Sequence, residues 1–439
     1  MQSLVLAGGG AMQAGLDRLL KRLITVGRLR VRWPDGSSRT YAGKPGPEAA
    51  LAIRTRGALA RLMWNPPLAV GECYMDGTLL AEDCSIHDVL DVLVSNIAAS
   101  GRPHAVARWR GTLRVLKRRI DQYNRIGASR RNVAHHYDLN GRLYSLFLDR
   151  DRQYSCAYFP RGDETHEEAQ LAKKRHLAAK LNLDRPDLSV LDIGCGWGGL
   201  ALTLARDYGA RVLGITLSTE QLAEARNRAA AEGLQDRVAF ELCDYRLMDG
   251  NFDRIVSVGM FEHVGVGFYR AFFDAVARCL NPDGVALLHT IGRSGGPGST
   301  NPWIAKYIFP GGYTPALSEV VPAIEHSRLI PTDVEVLRLH YAETLRHWRR
   351  RFAANRDAIS SLYDERFCRM WEFYLSGAEL SFRREANVVF QIQLAHDQTA
   401  VPLTRDYIGE SEQAMAPRKT SSAAWDRTAR RTDAPRSGG

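Results

Sequence analysis

A glycine-rich turn at residues 194–199 has the residue types and spacing of a cofactor-binding loop. It follows Val190, Leu191 and Ile193, an apolar run typical of a buried parallel strand. Apolar residues return at helical spacing from Leu200. Glycine allows the backbone to approach a ligand closely and to adopt positive φ, and the next helix presents unpaired N–H groups at its N-terminus. The strand, turn and helix therefore predict the first unit of a nucleotide-binding α/β sheet.

The glycine spacing bears on which cofactor this turn would hold. Gly194-x-Gly196-x-x-Gly199 satisfies the dinucleotide pattern, but no Lys-Ser/Thr pair follows for a phosphate-binding P-loop. Asp192-x-Gly194-x-Gly196-x-Gly198 after an apolar strand instead resembles motif I of class I S-adenosylmethionine (SAM)-dependent methyltransferases. The resemblance implies a SAM site that includes Asp192, Gly194, Cys195, Gly196 and Gly198. A glycine turn that binds no ligand is the alternative, and the strand–turn–helix context argues against it.

The ends of the next two predicted strands carry further polar residues. Parallel strands present their carboxyl ends at one edge of a sheet, where ligands bind. Many methyltransferases place a carboxylate after the second strand for the ribose, whereas this chain offers hydroxyls and an amide that also bind a diol. After the third strand, an acid and a ring could hold the adenine. The predicted cofactor residues at these two strand ends are Thr216, Leu217, Gln221, Asp244 and Tyr245.

The fourth strand ends in a sequence that argues against a nucleic-acid methyltransferase. It reads Met260-Phe261-Glu262-His263, where an amino-directed DNA methyltransferase would carry Asn/Asp-Pro-Pro-Tyr. Asn65-Pro66-Pro67 lies in the wrong part of the chain for that motif. No RNA-binding module is recognisable. Nucleic-acid methylation therefore rests on charge alone, and no nucleic-acid partner is expected.

Composition and charge limit the class of protein. The chain has 439 residues and a formal net charge of +10, which indicates an anionic partner or reflects genomic composition. Its seven cysteines are scattered without a C-x-x-C pair, so we expect a reducing compartment and neither a disulfide framework nor a metal site. No apolar run approaches the ~20 residues of a membrane span. No signal-peptide pattern is recognised at the N-terminus.

The first third of the chain divides into two predicted parts. Residues 1–100 read as a small α/β domain with a helix and a hairpin over Gly27–Tyr41. The glycine-bounded stretch Gly71–Gly77 is unusual for a loop, because it carries aromatic and apolar residues between its glycines. Residues 101–131 contain ten basic residues and a single acidic residue, Asp121, with apolar residues at helical spacing. This basic amphipathic helix is typical of a membrane surface, or of a linker packed on the protein, and both readings stay open. A second basic patch is predicted at His347–Arg351.

The rest of the chain alternates predicted strands and helices from Ser189 onward. This alternation predicts an α/β fold of the class I methyltransferase type, with a Rossmann-like, mostly parallel seven-stranded sheet. We assign the methyltransferase-type domain to residues 132–408. Within it we predict a non-helical insertion at about 292–325 and a strand over Glu335–Tyr341. Residues 409–439, rich in Ser, Arg, Ala and Pro, are predicted to be disordered.

Several short motifs together resemble one family, the cyclopropane fatty acid synthases, which include the mycolic acid cyclopropane synthases. The matching pieces occur in the family's order and span roughly residues 70–400. They are His136-Tyr137-Asp138, Tyr154-Ser155-Cys156-Ala157-Tyr158-Phe159, Leu191–Gly198, Thr216–Gln221, Met260–His263, Leu288-His289-Thr290-Ile291 and His340-Tyr341. The combination is specific, although no single piece is.

This resemblance implies a reaction and a set of catalytic groups. The methyl group of SAM is transferred to a cis double bond in a phospholipid acyl chain, and the resulting carbocation loses a proton to a bound bicarbonate as the ring closes. The ligands of bicarbonate would be the main chain of Cys156 and Ile291 and the side chains of Glu262, His289 and Tyr341. Tyr154 and Ser155 would contact the cofactor. Candidates for stabilising the cation through their faces are Tyr341, Tyr307, Tyr313 and Phe309.

The residues alone leave alternatives open. An isolated histidine in an apolar strand, as His289 is, is more often a structural core group. Cys156 is not predicted as a nucleophile, because nothing near it in sequence would lower its pKa. A methylene or methyl-branched product, and a non-catalytic lipid-binding protein with a retained fold, are the rival functions. The resemblance also implies a homodimer, which we expect to be cytoplasmic and peripheral on the inner face of a membrane containing anionic phospholipid.

Overall fold

The computed structural model describes residues 2–99 and 141–415. The predicted basic helix at 101–131, the His136-Tyr137-Asp138 motif and residues 416–439 lie outside the described residues. No helix within the described ranges is long and apolar enough to cross a bilayer.

The described residues form two sheets surrounded by helices. The strands are β1 (Val26–Arg32), β2 (Ser38–Ala42), β3 (Lys44–Ile53), β4 (Leu79–Ala81), β5 (Ser189–Ile193), β6 (Arg211–Thr216), β7 (Val238–Leu242), β8 (Phe252–Val258), β9 (Leu280–Arg293), β10 (Ile330–Leu337) and β11 (Asn387–Ala395). The helices are α1 (Gln2–Leu23), α2 (Arg56–Trp64), α3 (Pro66–Met75), α4 (Ile86–Ala99), α5 (Gly141–Phe147), α6 (His166–Lys180), α7 (Gly199–Tyr208), α8 (Thr219–Ala231), α9 (Tyr269–Cys279), α10 (Pro302–Tyr307), α11 (Leu317–Ser327), α12 (His340–Ala354), α13 (Arg356–Leu362), α14 (Glu365–Arg384) and α15 (Asp406–Ala414).

The N-terminal part folds around a four-stranded sheet of order β2-β1-β3-β4. Strands β1 and β2 form the antiparallel hairpin that the alternating sequence predicts. Leu29 and Val31 are buried while the arginines that alternate with them, Arg28, Arg30 and Arg32, are exposed, which is the pattern of a half-buried strand. The buried Asn96 of α4 ties this helix to the sheet, because its side chain donates to Val26 O and accepts the N–H groups of Thr25 and Val26.

The glycine-bounded stretch Gly71–Gly77, whose aromatic and apolar residues are unusual for a loop, is mostly helical. Most of it belongs to α3, which begins at Pro66 directly after α2 ends. Gly71 serves packing instead of a turn, because a Cβ there would lie 2.4 Å from Trp303 Nε1. The close approach of a tryptophan from the distant residue 303 is a tertiary contact that local sequence does not reveal.

The larger sheet has the order β10-β11-β9-β8-β5-β6-β7. Strands β5, β6, β7, β8 and β9 are mutually parallel, whereas β11 runs antiparallel to both β9 and β10. This arrangement confirms the prediction of a mostly parallel seven-stranded sheet. It places the ends of β5, β6, β7 and β8 at one edge, as the position of the candidate site requires.

The prediction of a helix-free insertion at 292–325 is wrong. Helix α10 and most of helix α11 lie within it. Val320, Ala323 and Ile324 of α11 are buried and form its packed face. Pro322 inside the helix disguises its periodicity in the sequence, since proline usually ends a helix.

The predicted strand over Glu335–Tyr341 ends early, at Leu337, and Tyr341 belongs to α12 instead. The helical assignment places Tyr341, Leu345 and Trp348 on one buried face. The predicted basic patch at His347–Arg351 is also wrong as a free surface. Its Trp348 is fully buried, and two of its arginines form the ion pairs Arg349–Glu379 and Arg351–Glu167.

The start of the predicted disordered tail is likewise misplaced. Residues 409–414 belong to α15. Ile408 of this helix is buried, and Glu412 lies 2.5 Å from His176 Nδ1 on α6. Two long-range contacts therefore hold a segment whose composition predicts disorder.

The N-terminal part packs against α10 and α14 of the part that contains the larger sheet. Tyr74 donates to Glu372 at 2.8 Å, and Trp303 Nε1 donates to Met75 Sδ at 3.3 Å. Ion pairs Lys306–Glu72 and Arg384–Asp91 flank these contacts. The interface places α3 and α4 beside the second cavity described below.

Buried His166 predicts a measurable pH dependence of folding stability. Its Nε2 accepts the Trp348 indole N–H at 3.0 Å, and burial together with the nearby Arg351 lowers its pKa to about 3. As pH falls below the unfolded pKa of about 6.5, the unfolded chain takes up a proton that the folded chain does not, so stability is lost. At pH 5 this loss amounts to about 2 kcal/mol.

Replacing His166 by Gln keeps an acceptor for Trp348 and removes the titrating ring. We expect the fall in unfolding free energy between pH 7 and pH 5 to shrink by about 2 kcal/mol in the variant, measured by urea titration at both pH values. An equal fall in wild type and variant would contradict this assignment.

Candidate active site

A first cavity of about 140 Å³ opens at the carboxyl edge of β5, β6 and β8, beside the loop after β7. It lies where a doubly wound sheet binds its ligand. The structure brings together here all but one of the predicted cofactor residues: Tyr154, Ser155, Asp192, Gly194, Cys195, Gly196, Thr216, Leu217, Gln221, Asp244 and Tyr245.

Gly198 is the exception. It lies at the N-cap of α7 with φ of 82°, and a Cβ there would lie 2.7 Å from the Phe240 ring. Its role is therefore to start the helix and pack against β7. Gly194 lies at the cavity, where its own N–H and that of Cys195 both donate to Ile215 O, at 2.9 and 3.0 Å. These bonds bind the turn to β6.

The residues after β6 form a small hydrogen-bonded unit. Thr216 Oγ1 donates to Gln221 Oε1 at 2.9 Å and also accepts the Ser218 N–H. Ser218 in turn caps α8 by accepting the Gln221 N–H, as its position in the sequence predicts. Because the Gln221 oxygen is used, its amide NH₂ is the group that remains for a hydroxyl ligand.

The acid after β7 is not free to hold a ligand by itself. Arg246 binds both oxygens of Asp244, with Nε at 2.8 Å from Oδ1 and Nη2 at 2.6 Å from Oδ2. The guanidinium also lies 5.6 Å from the centroid of the Tyr245 ring. Arg246 lines the cavity and was missed by sequence reasoning, although its spacing of two residues from Asp244 was a usable signal.

Asp192 at the end of β5 is a buried acid with an unsatisfied oxygen. Burial raises its pKa to about 7, and the charge of Lys173 opposes that rise. Its Oδ2 has no hydrogen-bond partner among residues 2–99 and 141–415. An ammonium or hydroxyl group of a ligand would satisfy this oxygen, which fits the methionine end of SAM.

A second cavity, of about 520 Å³, adjoins the first. Tyr154, Ser155, Gly259 and His263 line both cavities, so a group can pass directly from one ligand to the other. Half of the residues that line the second cavity are aromatic or aliphatic. The structure brings together in it all five predicted catalytic residues: Cys156, Glu262, His289, Ile291 and Tyr341.

Glu262 is the central polar group of the second cavity. It lies in the 3₁₀ turn Phe261–His263 after β8, and its Oε1 accepts the Ile291 N–H at 2.6 Å. Its Oε2 has no hydrogen-bond partner among the residues described. Burial raises its pKa to about 7. The Ile291 N–H is therefore donated to Glu262, and the contact of the Ile291 main chain with bicarbonate stays a prediction.

His289 is both a buried strand residue and a cavity residue, so the two alternatives for it are compatible. The side-chain N–H of Gln391 donates to its Nδ1 at 3.1 Å, which leaves Nε2 to carry the proton. Burial and the nearby positive charges hold its pKa well below the usual value, so the ring is neutral. A neutral imidazole with a fixed tautomer can donate one hydrogen bond.

The aromatic candidates separate into two groups. Tyr341, Tyr313 and Phe309 line the second cavity. Tyr307 does not, because its hydroxyl donates to Glu72 of the N-terminal part at 2.9 Å. Sequence reasoning missed Tyr374, whose hydroxyl lies 2.9 Å from that of Tyr154, and also missed three N-terminal wall residues. These are Pro67, Leu90 and Val94.

Residues 125–392 match the protein family described as mycolic acid cyclopropane synthetase. The cyclopropane-fatty-acyl-phospholipid synthase of Escherichia coli K12 is 38% identical over 347 residues, which cover 78% of this chain and 87% of that protein. The tuberculostearic acid methyltransferase UfaA1 of Mycobacterium tuberculosis is 36% identical over 88% of this chain and 92% of its own length.

A solved structure agrees with these relatives. Mycolic acid cyclopropane synthase CmaA1, crystallised with SAH and CTAB, superimposes with a TM-score of 0.57 at 35% identity, covering 60% of this chain and 97% of that one. The fold is thus that of the class I SAM-dependent methyltransferases. The chain belongs to the mycolic acid cyclopropane synthetase family and is a SAM-dependent methyltransferase.

Proposed function

We propose that this enzyme transfers the methyl group of SAM to the cis double bond of a phospholipid acyl chain and closes a cyclopropane ring. The observation that carries the proposal is the apolar second cavity that shares four wall residues with the cofactor cavity and holds the unsatisfied oxygen of Glu262. An alkene is apolar and weakly nucleophilic, so it requires a dry site beside the methyl donor.

The proposed reaction balances without a further reagent. The π electrons of the alkene form a bond to the methyl carbon as the carbon–sulfur bond of SAM breaks, and S-adenosylhomocysteine leaves. The carbocation then loses a proton from the new methyl group, and that C–H electron pair closes the ring. The aromatic walls exclude water, and ring faces such as that of Tyr341 stabilise the cation.

The residues around Glu262 fit a small oxyanion that would receive the proton. Glu262, with a pKa of about 7, can exchange a proton near neutral pH. His289 offers an Nε2–H and Tyr341 a hydroxyl. Glu262, His289, Tyr341 and the Cys156 main chain would hold bicarbonate, which supplies a base when bound.

The N-terminal part supports a phospholipid as the acyl carrier. Pro67, Leu90 and Val94 line the second cavity, so α3 and α4 extend its apolar wall. In the same part of the chain, Trp64 at the end of α2 is 78% exposed and Ile97 of α4 is 54% exposed. Exposed apolar residues in the part of the chain that lines this cavity, together with a net charge of +10, suit an anionic membrane surface on which the enzyme would lie peripherally.

Deuterium labelling tests the proposal. Vesicles of dioleoyl phosphatidylethanolamine and phosphatidylglycerol are incubated with protein and CD₃-labelled SAM, and the acyl chains are analysed by chromatography and mass spectrometry. We expect a cyclopropane chain that keeps two of the three deuterium atoms, because one leaves with the base. Vesicles of saturated lipid serve as the control and should stay unlabelled.

Other outcomes would overturn particular parts of the proposal. Label in free oleic acid but not in vesicles would contradict the phospholipid substrate. A methylene product also keeps two deuterium atoms but separates from the ring by chromatography, and it would contradict ring closure. A saturated methyl-branched product that appears only in the presence of an added reductant would indicate methyl branching, the reaction that the name of the UfaA1 relative suggests.

A further inference from the structure

The segment Gln153–Phe159 forms the partition between the two cavities. Tyr154 and Ser155 line both of them, and Cys156 lines the second. The segment is neither helix nor strand, so its main-chain groups need partners from elsewhere.

Helix α12 supplies partners on one side of this segment. Thr344 Oγ1 accepts the Ala157 N–H at 3.0 Å while its own hydroxyl donates to His340 O at 2.8 Å. His340 Nδ1 accepts the Phe159 N–H at 3.0 Å. His340 and Thr344 are one helical turn apart, so their side chains lie on the same face of α12. The same helix carries Tyr341, which lines the second cavity.

Helix α6 supplies partners on the other side. Gln170 Nε2 donates to Ser155 O at 3.0 Å, and Lys173 Nζ donates to Ser155 Oγ at 2.9 Å. Hydrogen bonds thus hold the residues on either side of Cys156. Among residues 2–99 and 141–415, the N–H and carbonyl of Cys156 have no hydrogen-bond partner, so these two groups are available to a ligand.

The geometry of the peptide bond connects Thr344 to this ligand position. A trans peptide is planar, and its carbonyl and N–H point in opposite directions. The Ala157 N–H belongs to the same peptide as the Cys156 carbonyl. The bond from Ala157 to the fully buried Thr344 therefore sets the orientation of the Cys156 carbonyl.

We propose that Thr344, supported by His340, is a positioning residue that orients the Cys156 peptide, one of the groups that would hold bicarbonate. The inference rests on the proposed function. Thr344 lines neither cavity, so it acts through the Cys156 peptide and not by touching a substrate. It affects the binding of the base more than the binding of SAM.

Thr344→Val tests this role, because valine matches the shape of threonine and lacks the oxygen. The concentration of bicarbonate that gives half-maximal ring formation is expected to rise at least about tenfold, with the dissociation constant of SAM changed by less than about twofold. Thr344→Ser restores the acceptor and should return bicarbonate dependence to within about threefold of wild type.

Two further readouts do not depend on turnover. Hydrogen–deuterium exchange of the Ala157 amide should accelerate in Thr344→Val, and titration with ¹³C-labelled bicarbonate followed by NMR should show weaker binding. Unchanged bicarbonate dependence, or an equal loss of SAM and bicarbonate binding, would overturn the proposal. If the valine variant does not fold, two variants of His340 replace it. His340→Asn keeps an acceptor for the Phe159 N–H, because Oδ1 takes the place of Nδ1, and should stay close to wild type in bicarbonate dependence. His340→Phe lacks the acceptor and should weaken bicarbonate binding.

The wild-type result separates the two proposals. If wild type produces no labelled lipid, the proposed function fails, and ¹³C-bicarbonate binding still decides the role of Thr344. If wild type produces cyclopropane lipid and the valine variant matches it in all readouts, only the positioning role fails.

Discussion

Glu262→Gln is expected to lower the rate of cyclopropane formation by at least about a hundredfold. Glutamine keeps the size of the side chain and an oxygen to accept the Ile291 N–H. It cannot exchange a proton, whereas the carboxyl of Glu262, with a pKa raised to about 7 by burial, can do so near neutral pH. The measurement is the initial rate of ring formation in vesicles. The affinity for SAM should stay within about twofold, because Glu262 lines only the second cavity.

Glu385→Gln is the matched control for this prediction. Glu385 is a second acid that lines the same cavity; it is more exposed than Glu262, and partial desolvation also raises its pKa. It faces the charge of Arg293 and lies outside the group of Glu262, His289 and Tyr341. Its variant should keep a rate within about fivefold of wild type. A Glu262→Gln rate no lower than that of the control would contradict the proton-exchange role.

Gly194→Ala should weaken SAM binding at least about tenfold and lower the melting temperature. The residue has φ of 86°, where a Cβ costs roughly 1–2 kcal/mol. The added methyl carbon would also lie 2.8 Å from Met260 Cβ, and both residues line the cofactor cavity. To avoid this collision, either Met260 or the glycine turn must move. The turn is held in place because the N–H groups of Gly194 and Cys195 both donate to Ile215 O. Calorimetric titration with SAM measures the loss.

Gly233→Ala separates the two causes of that loss. Gly233 has a φ of 66°, and a Cβ there would have no atom within 4 Å. Its variant therefore carries the backbone penalty without the collision, and it lies outside both cavities. We expect a small loss of stability and unchanged SAM binding. Equal SAM affinities for the two alanine variants would show that the contact with Met260 is unimportant.

Local sequence determined the central unit of the fold. The apolar run of β5, the glycine turn and the periodic helix α7 depend on interactions between residues close in the chain, so their pattern predicts them directly. Ser218 as the cap of α8 is another such case, because its side chain bonds a backbone group only three residues away. The motif resemblance also named residues that line the second cavity, including Glu262 and His289.

Misassigned elements arose where distant packing outweighed local composition. Gly71 lies in a helix and packs closely against Trp303, and α15 is held by the burial of Ile408 and by the contact of Glu412 with His176. The composition of these segments favours loop or disorder when read alone. Burial of apolar surface against remote elements supplies the free energy that the local pattern lacks.

The chemical state of the site was decided only by the tertiary structure. The Ile291 N–H is donated to Glu262, Asp244 is paired with Arg246, and Leu90 of the N-terminal part lines the acceptor cavity. The burial that raises the pKa of Glu262 comes from elements far apart in the chain. Residue types thus determine which chemistry is available, whereas folding determines which atoms remain unpaired, because desolvation and hydrogen-bond partners depend on the whole surrounding structure.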